Sequence, residues 1–228
     1  MEPRRIRFVD SPKPATHNGA IFPRNTKRSS LESNQKGSGP TRRDRLPPGQ
    51  KATDKWPILT YGEVPRIDLG LWRFRIFGRV ASERILTWEE FLVLPRVERL
   101  SDVHCVTRWS RYDNRWEGVP ARELVRLAEP IPSARFVMVH AYGDYATNLP
   151  LEALQEADVL FADRHDRKPL EAEHGGPLRL VVPRLYFWKS AKWVNGLEFL
   201  DRDKPGFWER NGYHMRGDPW TEERHSGW

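Results

Sequence analysis

The chain has 228 residues, 30% charged and 38% hydrophobic, with a formal net charge of +7, and it contains no apolar run of the roughly 18 residues a membrane span needs. Its single cysteine excludes an internal disulfide framework and a thiolate-rich zinc or iron–sulfur site. The charge is uneven: residues 1–55 carry 13 Lys and Arg against 5 Asp and Glu, and the remainder carries 25 against 26, so the basic character belongs to the N-terminal segment.

That segment is rich in Ser, Pro, Gly, Asn, Lys and Arg and has no Trp or Tyr. It buries too little apolar surface to offset its ordering entropy, which predicts a disordered basic tail over 1–55 and one folded domain over 56–228. Neither arginine pair, Arg4-Arg5 or Arg42-Arg43, precedes the apolar stretch of an export signal, so a cytoplasmic location and no membrane insertion are expected.

In chain order, WPILTYGEVPRIDLG reads as an extended lead-in. In LWRFRIFGRV, Trp72, Phe74 and Ile76 alternate with Arg73 and Arg75, the pattern of a half-buried strand. Thr87 followed by Glu90 is a capping-box signature for a short helix closed by Pro95. VERLSDVHCVT predicts a strand with Val103 and Cys105 on one face and His104 and Val106 on the other, leading into a polar-aromatic loop. Pro120 at a first helical position starts a helix with Ala121, Leu124, Val125 and Ala128 on one face. ARFVMVHAYG predicts a strand, Gly143-Asp144 a turn, and LPLEALQEA a short helix. Two further strands follow around a polar loop, the second with Leu178, Leu180 and Val182 alternating, and SAKWVNGLEFLDRD supplies another. The C-terminal GFWERNGYHMRGDPW is punctuated by Gly, Pro and aromatics without periodicity. Strands dominate and helices are short, which predicts an α+β fold rather than a doubly wound sheet.

Two constellations carry candidate chemistry. Cys105 stands in HCVTRWSR, near Arg108 and Arg111; a lone strand cysteine is commonly an inert buried residue, whereas converging cations would favour the thiolate. His174, Arg179 and Lys192, interleaved with Gly175 and Gly176, form a cationic set suited to a phosphate or other polyanion, and Arg179 leaves its strand opposite Leu178, Leu180 and Val182. A solvated strand face explains the same pattern equally well. Tyr145 and Trp109 read either as packing residues or as contacts within a site. The near-neutral domain argues against a nucleic-acid footprint.

Taken together, HCVTRWS, YATNLPLEAL, EHGGPLRLVVP and SAKWV, in this order, resemble the sulfite oxidase-type molybdopterin oxidoreductases, particularly their small single-domain bacterial members and the catalytic subunits of methionine sulfoxide reductase systems. The resemblance covers about residues 56–228 and implies that family's strand-rich molybdopterin-binding fold. It implies Cys105 as the molybdenum ligand, Tyr145 as the active-site tyrosine, and His174, Arg179, Ser190, Ala191 and Lys192 as cofactor-binding residues. Arg108 would attract an anion and Trp109 would wall the pocket. Tyr61 and Gly62 in the lead-in, and His140 on the strand before the tyrosine turn, are carried over as further cofactor contacts.

The implied activity is molybdopterin- and molybdenum-dependent oxygen-atom transfer to or from a small sulfur compound, with an external electron-transfer partner. Arg108 and Arg111 stand out of register with the Gly-Asn-Arg-Arg run of animal-type sulfite oxidases, which argues against sulfite. The competing readings are a metal-free cysteine hydrolase or transferase and a protein binding nucleic acid or a partner through its basic tail.

Overall fold

The computed structural model describes residues 7–9 and 44–226. Its strands are β1 (Arg7–Val9), β2 (Lys51–Ala52), β3 (Ile58–Thr60), β4 (Arg73–Gly78), β5 (Arg84–Thr87), β6 (Val97–His104), β7 (Trp109–Pro120), β8 (Phe136–Ala141), β9 (Ala146–Pro150), β10 (Leu160–His165), β11 (Lys168–Pro169), β12 (Arg179–Val181) and β13 (Val194–Leu200). The α-helices are α1 (Trp88–Leu92), α2 (Ala121–Ala128), α3 (Leu151–Leu154) and α4 (Phe207–Arg210). Among the described residues no helix is long and apolar enough to cross a membrane. The architecture is α+β, strand-rich with short helices, as expected.

Two sheets organise the described residues. In one, β7 pairs antiparallel with β6 and β10 and parallel with β2, and β10 also takes β11 and β12. The other runs β5-β4-β13-β8-β9, with β4 and β13 parallel and the other neighbours antiparallel. A small separate pair joins β1 to β3.

Strand alternation places the core between the sheets. Trp72, Phe74 and Ile76 are fully buried there, with Val137 and Val139 of β8 and Leu197 and Phe199 of β13. α2 adds Ala121, Leu124, Val125 and Ala128, the four residues its periodicity marks as one face. Thr87 and Glu90 form the expected capping box, each side chain bonding the other residue's backbone N–H. Leu178, Leu180 and Val182 point into this core, while Val181 joins a second cluster with Val103, Trp116, Leu160, Ala162 and Leu170 on the other face of the sheet.

The structure departs from the sequence expectations in three places. The polar-aromatic loop expected after Cys105 is instead the twelve-residue strand β7. Two of its inward polar residues are satisfied: Asn114 Nδ2 donates to the Ser101 and Arg111 carbonyls, and Ser110 Oγ lies 2.9 Å from His104 Nδ1. Pro120 ends β7 and caps α2 instead of opening it. Residues 44–55, assigned to the tail, pack on the domain: Arg45 pairs with Asp102 at 2.5 Å, and Lys51 and Ala52 add β2 to the edge of β7. Apart from Arg7–Val9, the rest of the expected tail lies outside the described residues.

Gly118 fixes the fit of β7 against β10, because a Cβ there would stand 2.0 Å from Phe161 O and 2.7 Å from Ala162 Cα. Both contacts are backbone, so neither can swing aside. Gly118→Ala should lower stability by about 1–3 kcal/mol, read as a shifted urea midpoint with unchanged slope.

Candidate active site

Cys105 follows the last residue of β6 and begins the turn into β7. Its N–H donates to Trp109 O at 2.8 Å and its carbonyl accepts from Arg108 N at 3.0 Å, with Arg108 at φ +72°. The turn is held by segments on both its N-terminal and its C-terminal side. Gln50 Nε2 donates to Cys105 O at 3.1 Å, and Arg224 Nη1 donates to Val106 O at 2.6 Å. The thiol is buried, 3.1 Å from Thr107 Oγ1. Burial pushes its pKa up, opposed by the Thr107 hydroxyl, the Thr107 backbone and the charge of Arg224.

A cleft of about 1240 Å³, measured out to its open mouth, joins this turn to the second constellation. Its walls include Cys105, Thr107 and Trp109 from the hairpin, Tyr145 from the β8–β9 turn, and His174, Arg179, Ser190, Ala191 and Lys192. The sequence-distant groups singled out above therefore share one cavity.

Arg179 is its electrostatic centre. Alternation along β12 turns it away from the Leu178–Leu180–Val182 face, and it is only 1% exposed. Nη1 donates to His174 O at 2.6 Å and Nη2 to Ser190 O at 2.9 Å, while buried Nε finds no partner among the described residues. No carboxylate among them pairs with it, and burial lowers its pKa to about 9, so it remains cationic at neutrality. Lys192 Nζ donates to the carbonyls of Glu173 at 2.6 Å and Leu59 at 2.9 Å; burial, reinforced by Arg179, lowers it to about 7. His174 stacks on Trp56 with ring centres 3.7 Å apart, and burial with the Arg179 charge lowers it to about 3. Gly175, at φ +109°, lets these groups converge: a Cβ there would stand 3.0 Å from Lys192 Cβ and 3.1 Å from Arg179 Cβ.

Three expected site residues are placed elsewhere. His140 does not reach the cleft; on β8 its neighbours Val139 and Ala141 point inward, and its ring faces out against Phe77, with Nε2 3.0 Å from Glu198 Oε2. Arg108 is exposed, and its Nη1 lies on the Gly49 side of the turn. Gly62, at φ +80°, lies between the lining residues Tyr61 and Glu63 but does not itself line the cleft. Tyr145 does line it, yet its hydroxyl donates to Trp188 O at 2.6 Å.

The sequence reading missed the aromatic side of the cleft: Trp56, Phe187, Trp188, Trp193, Phe207, Trp208 and Tyr213. It also missed Lys189, fully buried and paired with Glu209 at 2.6 Å, where Glu209 accepts a hydrogen bond from Trp188 Nε1. The aromatic density of RLYFWKSAKW and GFWERNGYH was the available signal, but neither stretch has a period that would assign its rings to a face.

This site accommodates an anionic cofactor that carries its own metal ligands. Arg179, with its unopposed charge and unpartnered Nε, and Trp109, with its unpartnered Nε1, both line the cleft. Among the described residues no group of three or more His, Cys, Asp or Glu gathers to hold a metal ion. A metal at the Cys105 sulfur thus has one soft protein ligand and takes the others from the cofactor.

Comparison with known proteins defines the class. The family profile described as oxidoreductase molybdopterin binding domain matches residues 61–208, and the chain belongs to this family of molybdenum-cofactor enzymes, of the sulfite oxidase type. It is 46% identical over 181 residues to the uncharacterized oxidoreductase YuiH of Bacillus subtilis, covering 79% of this chain and 91% of that protein. It is 28% identical over 155 residues to the protein-methionine-sulfoxide reductase catalytic subunit MsrP of Campylobacter jejuni, covering 60% of this chain and 52% of that one. The fold also matches the sulfane dehydrogenase SoxCD from Paracoccus pantotrophus, with TM-score 0.61 and 21% identity over 72% of this chain and 48% of that chain. The chain thus spans about half the length of these last two.

Two outcomes follow. Arg179→Ala should leave the protein folded but strongly reduce its pterin and molybdenum content, measured by pterin fluorescence and elemental analysis. His104, His165 and His174 have pKa values lowered by burial to about 4, 4 and 3, so their unfolded forms bind protons that the fold excludes. Cofactor-free protein should lose stability as pH falls from about 6.5 toward 4, and His104→Asn should weaken that dependence in urea titrations.

Proposed function

We propose that this chain catalyses oxygen-atom transfer on a small sulfur compound, in the direction of sulfoxide reduction, with electrons from an external partner. The observation carrying this reading is the distribution of charge around the cleft. Its cationic side chains, Arg179 and Lys192, belong to the cofactor-binding set, whereas the hairpin and C-terminal wall bring Thr107, Trp109, Phe207, Trp208 and Tyr213. The cation whose charge reaches the Cys105 sulfur is Arg224, which donates to Val106 O and does not line the cleft. Arg111 is held by Asn114 and Asp166 outside it. An oxyanion such as sulfite would meet no dedicated cation there, whereas a neutral sulfoxide needs none. The likeness to a catalytic subunit named as a protein-methionine-sulfoxide reductase supports the same direction.

The bound cofactor supplies two-electron oxygen-atom transfer at molybdenum. The chain's own residues do the holding. Cys105 supplies the soft thiolate, Arg179 and Lys192 neutralise the cofactor's anionic group, and His174 positions the Arg179 guanidinium through its carbonyl. Ser190 fixes the closing segment, with its carbonyl accepting from Arg179 and its hydroxyl accepting from Val182 N at 3.0 Å. Trp109 and the aromatic side of the cleft limit the entry of water.

Protein from a molybdate-supplied host should contain molybdenum and reduce methyl phenyl sulfoxide with a reduced viologen dye. Cys105→Ser should keep the fold and much of the pterin, since the Arg179 set is intact, and lose nearly all turnover. Equal activity in that variant would remove Cys105 from the centre of the reaction.

A further inference from the structure

The outward face of the β5-β4-β13-β8-β9 sheet carries a second groove, of about 1120 Å³ out to its open mouth. Strand register explains the depression. Arg75 on β4, Gly196 on β13, His140 on β8 and Ala146 on β9 stand side by side across the sheet. Gly196 puts no side chain between Arg75 and His140, which leaves the floor open there, and a Cβ added to it would stand 3.1 Å from Arg75 O. The β4 side brings Leu71, Arg73 and Arg75 to the groove, and the β8–β9 turn brings Tyr142, Asp144 and Tyr145.

The two arginines of this groove lack acidic partners. Arg79, just past the end of β4, pairs with Asp201 at 2.8 Å, and Arg84 on β5 pairs with Glu129 at 3.7 Å. Arg73 instead donates to the carbonyls of Gly70 at 3.1 Å and Trp72 at 2.7 Å, and the Arg75 guanidinium lies over the Phe77 ring at 4.6 Å. Neither forms an ion pair among the described residues, and the carboxylate that lines the groove, Asp144, bridges to neither. Leu71, beside them, is 75% exposed. An exposed apolar side chain next to two uncompensated guanidinium groups has the composition of a protein-docking surface. Its position adds a second argument: Tyr142 and Tyr145 line both this groove and the cofactor cleft, so the two cavities share a wall of aromatic rings.

We propose that this groove is the docking site of the external electron donor, and that the donor is a small acidic protein carrying a one-electron centre near its surface. Carboxylates of the donor meet Arg73 and Arg75, an apolar side chain of it rests on Leu71, and the Tyr142–Tyr145 wall is what separates the docked centre from the cofactor cleft. This rests on the reading given above, in which electrons reach the site from an external partner. Each encounter oxidises the donor by one electron. Two encounters, with two protons from solvent, convert one sulfoxide into the sulfide and water. The surface suits such traffic: two cationic side chains steer an acidic partner, and a small contact lets the spent donor leave. Substrate enters by the other cavity, so donor and substrate do not compete for one opening.

The test compares intact, cofactor-loaded wild type with the double variant Arg73→Glu/Arg75→Glu, both positions being exposed and outside the cofactor-binding set. The probe is purified flavodoxin, a small acidic flavoprotein. Its oxidised form gives a binding constant by calorimetry, and its reduced form, mixed anaerobically with excess protein and no substrate, gives a rate of flavin oxidation. Wild type should bind flavodoxin at low ionic strength and lose affinity as salt is added. The double variant should bind about tenfold or more weakly and slow flavin oxidation by a similar factor, while its turnover of methyl phenyl sulfoxide with a reduced viologen dye stays at the wild-type value. Arg73→Gln/Arg75→Gln, which removes the charges without reversing them, should fall between the two. Absence of flavodoxin binding by wild type, equal binding by the double variant, or an equal loss of viologen-driven turnover overturns the assignment. If the viologen dye drives no sulfoxide reduction in wild type, the substrate reading fails, and flavodoxin binding with its salt dependence then judges the docking face by itself.

Discussion

The buried guanidinium of Arg179 is the constraint around which the site is built. Burying a cation costs several kcal/mol unless charge or strong acceptors compensate it. Here two carbonyls, His174 O and Ser190 O, receive its terminal nitrogens, and Nε is left over. Lys189 shows what full compensation looks like in the same fold: equally buried, it pairs with Glu209 and also donates to Asn148 and Met215. One buried cation is closed within the protein and the other is open toward a cleft. The difference separates a charge closed within the protein from one left free to meet an anion, which is the basis for reading Arg179 as a cofactor contact.

The two constellations meet because strands deliver them to one place. The β6–β7 hairpin carries Cys105 at its tip, the β8–β9 turn carries Tyr145, and β12 with the segment after it carries Arg179 through Lys192. These belong to both sheets, so the interlocked core between them sets the separation of thiol and cations. Close packing resists adjustment, and the Gly118 contact against β10 illustrates how little slack exists.

Legibility in the sequence followed periodicity. Alternation marked Trp72, Phe74 and Ile76 as core and turned Arg179 away from Leu178, Leu180 and Val182, and the i, i+3, i+4 spacing marked the buried face of α2. It failed for β7, whose Ser110 and Asn114 are buried polar residues that break the alternation and are satisfied by partners within the β6–β7 hairpin. It failed again for the aromatic wall, where Phe207, Trp208 and Tyr213 sit on a four-residue helix and a turn with no repeat to read. Quoted motifs found Cys105, His174, Arg179, Ser190, Ala191 and Lys192, which share the cleft. His140, carried over without a motif, proved to face the opposite side of its strand.

The turn at Cys105 also shows why a domain boundary drawn from composition fell too late. Cys105 O takes one donor, Arg108 N, from within the turn and has room for a second, and Val106 O takes its donor from outside the hairpin. Gln50 supplies one from the N-terminal side and Arg224 the other from the C-terminal side, with Lys51 N reaching Arg108 O and Thr53 N reaching Ser110 O. Residues 44–55 bury little apolar surface, so hydropathy assigns them to the tail, yet their backbone and amide donors complete the turn that presents the sulfur. Hydrogen-bond demand, not hydrophobic content, extends the domain to these residues, and it ties the geometry of Cys105 to segments far on either side of it in the chain.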